Sequence, residues 1–182
     1  MKWTEARQVV RLLGWPQGDG PDPSKPPSHY FEGLRRADRL ADAAKFLGMA
    51  LPRWETVAWA ARVLREVGER NPGSPEADTL KAVMLWIQDP TEARRRATYD
   101  AAQGADVASP ERLAAMAVFY SGGSVAPPDC EPLPAPRDAA GRFSAGAVLA
   151  AAARTQDPVM ALNRGLDLGT TLAVEPEESG AK

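Results

Sequence analysis

Two residue types that commonly build active sites are nearly absent. The chain has one histidine, His29, and one cysteine, Cys130. A lone cysteine forms no internal disulfide, so the fold must rest on a buried core, and a reducing compartment suits it. A Cys–His or Ser–His nucleophile needs its imidazole beside it. His29 and Cys130 both lie in proline-rich stretches, and they read as ordinary loop residues. One histidine and one cysteine also fall short of the three or four ligands that zinc takes. No catalytic, metal or cofactor-binding residue is assigned, no cofactor is expected, and the chain is read as a non-enzyme.

Net charge is equally scarce. Lys and Arg number 22 against 24 Asp and Glu, giving −2 at neutral pH, which provides no global attraction to nucleic acid or to an anionic membrane. No apolar run approaches the ~18 residues that would span a bilayer. The opening MKWTEARQVVRLLGW places Glu5, Arg7 and Arg11 where a secretion signal would be apolar. The expectation is a cytoplasmic protein that binds another protein, with neither nucleic acid nor membrane as partner.

Proline, by contrast, is abundant at 17 residues, and the prolines fall between helical patterns, where they punctuate instead of disrupting. A chain of 182 residues suits one domain. Helical spacing is read over 4–13, closed by Gly14; over 34–47, closed by Gly48; and after Pro52, where Trp54, Val57, Ala58, Ala61 and Leu64 form one apolar stripe and Trp59, Val63 and Val67 a second. A helix with two stripes touches two neighbours. Trp54, Trp59 and Trp86 are therefore expected in the core. Asn71-Pro72-Gly73 reads as a turn. Ser74-Pro75-Glu76 and Ser109-Pro110-Glu111 are strong helix starts, with a serine cap, a proline at the first position and an acid in the first turn. Gln-Asp-Pro occurs at 88–90 and again at 156–158. Two stacked helical-hairpin units would give such a recurrence, although recurring capping chemistry explains it as well.

The expected fold is all-α, a single bundle of seven or eight helices. Residues 1–33 read as an N-terminal helix with a Pro/Gly-rich linker, 34–174 as the helical domain and 175–182 as a disordered polar tail. The segment 113–120 is apolar on nearly every side and reads as the central helix, stopped by Ser121-Gly122-Gly123-Ser124, where one glycine takes the left-handed conformation.

Trp54–Leu64, Leu85–Ala102 and Phe119–Pro128 together resemble a poorly characterised family of small bacterial helical proteins. That family combines a tryptophan-containing helix, an arginine- and alanine-rich segment, and an aromatic-Ser-Gly-Gly-Ser element leading into prolines. The likeness covers about residues 34–172, with Tyr120 standing where tryptophan is expected. It implies no catalytic residues; some members resemble accessory components encoded near type VI secretion genes.

Other chemistry is weighed and set aside. The Ser121–Ser124 turn lacks the spacing of a phosphate-binding loop and follows a helix where that motif precedes one. Glu66 with Glu69, and Glu175, Glu177 and Glu178, read as solvated carboxylates. Arg94, Arg95 and Arg96 point about 100° apart and fan around their helix, with acidic neighbours, as a solvent-exposed face. What remains is a protein-binding scaffold or adaptor, for which the resemblance implies an accessory role in a bacterial secretion or contractile assembly. Its expected contacts are Trp3 and Trp15 on the N-terminal helix, with Tyr120, Ser121, Gly122, Gly123, Ser124, Pro127, Pro128, Pro132, Pro134 and Pro136. The proline strip has two readings, a docking strip or an internal cover for the helices. The alternative functions are a small effector-like enzyme with an unidentified carboxylate site, or a toxin-neutralising partner.

Overall fold

A computed structural model describes residues 1, 3–16, 18, 20–67 and 73–174. The turn expected at Asn71-Pro72, Glu69 of one carboxylate pair and the tail 175–182 lie outside the described residues. The described residues form nine α-helices and no strand beyond an isolated bridge, an all-α bundle. The helices are α1 (Ala6–Leu13), α2 (Pro27–Arg36), α3 (Leu40–Ala50), α4 (Arg53–Val67), α5 (Pro75–Gln88), α6 (Glu92–Ala102), α7 (Pro110–Phe119), α8 (Ala139–Ala153) and α9 (Pro158–Val174).

The helix beyond the expected count is α2. Its first residue, Pro27, was read as linker, yet proline without an N–H is suited to the first turn, and Tyr30, Phe31 and Leu34 are buried one turn on. The helix expected over 34–47 is thus two. The chain turns between them at Asp38, which adopts φ 56°, while Arg39 N donates to Leu34 O at 2.9 Å. Gly48 does not close this segment; it lies inside α3. A Cβ there would sit 2.6 Å from Gly141 O, and one on Gly141 2.5 Å from Gly48 O, so the two glycines let the α3 and α8 backbones touch.

The two-stripe reading of α4 holds in packing, since this helix meets α3, α5, α7, α8 and α9. Trp59 is fully buried and donates its indole N–H to Gly165 O of α9 at 2.6 Å. Gly169, which weakens α9 as an isolated helix, leaves room for that indole: a Cβ there would lie 2.8 Å from Trp59 Nε1. Trp86 is buried as expected, but Trp54 is 40% exposed, because the first turn of α4 lies outside the core. The apolar α7 packs on α4, α5, α6 and α8 and shares the central position with α4 and α8.

The N-terminal helix lies on the body. Ala6, Val9 and Val10 are buried, α1 meets α2 and α3, and Ala6 N and Arg7 N donate to Lys25 O and Pro23 O. Both serine starts are made as expected, with Ser74 Oγ accepting from Ala77 N and Ser109 Oγ from Arg112 N. The two Gln-Asp-Pro junctions differ. Asp157 caps α9 by accepting from Met160 N at 2.9 Å, whereas Asp89 ends α5 and Thr91 caps α6, accepting from Arg94 N. The same tripeptide therefore plays two different capping roles.

Candidate docking loop

A helix ends with carbonyls that lack intrahelical partners and carry the negative end of its dipole. α7 has no basic residue in its own last turn. Local groups satisfy part of this end: Tyr120 N donates to Met116 O, and both Ser121 N and Ser121 Oγ donate to Val118 O. Neighbouring helices supply the rest. Arg95 Nη1, from α6, donates to Phe119 O, and Arg53 Nη1, at the start of α4, donates to Ser121 O at 3.2 Å.

Beyond that end the chain turns at Gly123, with φ 63°. A Cβ there would also sit 2.9 Å from Glu92 Oε2 and about as close to the Arg95 guanidinium, 3.0 Å from Nη2. The turn closes over a charged network. Arg95 is 3% exposed and binds Glu92 through two parallel hydrogen bonds of 2.7 Å, while Nη2 also reaches Ser124 O at 2.7 Å. Its guanidinium lies 4.9 Å from the Phe119 ring centre. Arg96 binds Glu92 at 2.9 Å and donates to Ser124 O and Ala126 O. The hydrogen bond from Arg95 is the main cause that holds the Glu92 carboxyl below its usual value of 4.5, burial opposing and Arg96 assisting.

Above this base the chain makes a closed loop. Ser124 bridges Pro134, Val125 N donates to Leu133 O at 2.8 Å, and Ser124 Oγ accepts from Ala126 N and Leu133 N. At its tip Cys130 N donates to Pro127 O. Residues 127–134 are all exposed, and Leu133 is 58% exposed. This part of the strip therefore does not cover the helices.

The expected contact residues divide accordingly. Pro127, Pro128, Pro132 and Pro134 stand on the exposed loop, and Gly122, Gly123 and Ser124 form its base with Ser121, which is buried. Tyr120 is half-buried, stacked on Phe143 at 5.3 Å with the rings 5° from parallel. Pro136 is exposed but outside the bridged loop, its carbonyl accepting from Ala139 N at the entry to α8. Trp3 is half-buried, donates to Met49 O at 3.0 Å and lines a cleft of about 150 Å³ with Arg53 and Arg137. The structure thus brings Trp3 near the loop base. Trp15 lines a different cleft, with Leu13, Lys45, Arg142 and Leu149.

The arginines were missed as positioning residues. Far from being a solvated face, Arg95 is buried, and each of the three consecutive arginines reaches a carbonyl: Arg94 goes to Leu85 O at 2.6 Å, away from the loop. The readable signal was Glu92 three and four residues before Arg95 and Arg96, a helical ion-pair spacing. Of the other carboxylates, Glu111 is buried and paired with Arg154 at 3.0 Å, and Glu66 is exposed.

Residues 30–173, more than three quarters of the chain, match a family of unknown function, DUF6931. The chain belongs to this family. The matched span begins within α2, contains the whole charged network and loop, and ends one residue short of the end of α9; α1 lies before it. No curated protein and no solved structure matches the chain.

Proposed function

We propose that the protein is a non-catalytic scaffold or adaptor that docks onto another protein through the loop 124–134. One observation carries this reading: buried Arg95 and half-buried Arg96 hold the base of a loop whose residues 127–134 are all exposed. A closed loop with its ends bridged is ordered before it meets a partner, so less conformational entropy is lost on binding. The four prolines act in the same direction by restricting the backbone. Exposed loops on a rigid scaffold are common places for recognition.

The finer assignment, an accessory component of a bacterial secretion or contractile assembly, rests on the resemblance of the aromatic-Ser-Gly-Gly-Ser element and its arginine-rich helix to proteins encoded near type VI secretion genes. Trp3, beside Arg53 at the loop base, extends the proposed contact surface toward the N-terminal helix.

The test replaces residues 126–133 with Gly-Gly, which leaves Val125-Gly-Gly as a three-residue connection between the paired Ser124 and Pro134. Both proteins are used as bait in extract of the native host. Proteins recovered by the intact chain and lost with the shortened one support the reading, provided the circular dichroism and melting of the two baits agree. Identical recovery by both baits overturns it.

A further inference from the structure

The loop carries charge of one sign. Asp129 and Glu131 flank Cys130 at its exposed tip, and residues 124–134 contain no lysine, arginine or histidine. Three nearby cations are otherwise occupied: Arg95 and Arg96 are bound to Glu92 and to the carbonyls of the base, and Arg53 donates to Ser121 O, while Arg137 lies beyond the loop and lines the cleft with Trp3 and Leu12. Among the described residues neither tip carboxylate has an ion pair. Beside them stands one large apolar residue, Leu133, whose backbone is held because its N–H and C=O are both bonded to the opposite side of the loop.

Resting on the docking reading above, we propose that the loop recognises a basic protein surface with an apolar pocket, Leu133 being the anchor and Asp129 and Glu131 the steering charges. Charge complementarity selects this occupant. Two unpaired carboxylates on a projecting tip are repelled by phosphate backbones and by anionic lipid headgroups, and they accelerate encounter with a cationic protein face. A leucine on a backbone already held in place gives its burial energy with less ordering cost. The rim of charge around a central apolar contact is the usual layout of a specific interface.

The experiment uses the full chain and a defined probe, an array of immobilised synthetic peptides. All have the same length and a central aromatic-aliphatic cluster, and their flanks vary from strongly cationic to strongly anionic. Binding is read at low and at physiological salt for the intact protein, for the Asp129→Asn/Glu131→Gln double variant and for Leu133→Ser. The expected result is preference for cationic flanks, weakened by salt and abolished in the double variant, with a loss of about tenfold or more for Leu133→Ser across all flanks. Binding that needs Leu133 but ignores flank charge overturns the basic-partner assignment and leaves the docking reading standing. Binding unchanged in every variant, or absent from the whole array, overturns the assignment; if the Gly-Gly loop replacement also leaves host-extract recovery unchanged, the docking reading falls with it. Both variants alter exposed side chains, and their melting temperatures are to be matched to the intact chain before comparison.

Discussion

The base and the tip of the loop lie on one short stretch of chain and obey opposite rules. At the base the charged side chains are engaged: Arg95 is buried with Glu92, Phe119 O, Ser124 O and an aromatic ring around it. At the tip, residues 127–134 face solvent. The difference teaches where each residue's free energy is spent. Base residues contribute to folding because removing one strands a buried partner. Tip residues contribute almost nothing to folding, so their chemistry is free to serve recognition.

Arg95→Ala breaks the base most severely. It strands Phe119 O, removes one of the two guanidinium donors to Ser124 O and leaves a gap beneath Gly123, and a loss of about 3 kcal/mol is expected in urea unfolding. Gly123→Ala comes next: the left-handed backbone and the close approach to Glu92 and Arg95 lead to a cost of about 1–2 kcal/mol by the same measurement.

Glu92→Gln is smaller, at about 1 kcal/mol, because the Glu92 side chain is 55% exposed and water screens its pairs. Its pH dependence sharpens the comparison. The folded carboxyl titrates below its unfolded value, so its stabilisation is present above about pH 4.5 and is lost as pH falls through the folded value. The stability gap between the intact protein and Glu92→Gln is accordingly expected to close in acid. A gap that does not narrow as pH falls below 4.5 would show that the ion pair is not its source. Smallest of all is the Asp129→Asn/Glu131→Gln double variant, whose side chains are exposed and, among the described residues, outside every ion pair, expected to change stability by less than about 0.5 kcal/mol. A large loss there would mean that the tip supports the core and would erase the contrast.

Much of the bundle was legible because helix ends have local chemistry. Ser74-Pro75 and Ser109-Pro110 start α5 and α7 through capping groups within three residues of each other, and Gly123 takes the positive φ that its position demands. What escaped the sequence was decided by partners distant along the chain. Gly48 looked like a helix stop because its true reason, Gly141, lies on α8. Trp54 fits the apolar stripe of α4, but periodicity does not say how far along a helix its neighbours reach. The identical Gln-Asp-Pro junctions diverge because Thr91 offers α6 a competing cap. The exposed proline loop was named from its composition, while the arginines that hold it were read as solvent-facing, since burial of Arg95 depends on the carbonyls of α7 arriving over α6.

The guanidinium at the end of α7 belongs to a wider habit. Arg142 donates to Leu12 O in the last turn of α1, Arg94 to Leu85 O in the last turn of α5, and Arg112 to Ala102 O at the close of α6. Each of these rods is tied at its carbonyl end to a side chain from elsewhere in the chain. Helices normally unravel from their tips one turn at a time, and here that fraying must first disturb a neighbour. Loosening is therefore shared between rods, and a planar, five-donor side chain suits this task better than lysine, in a sequence carrying 17 arginines to five lysines.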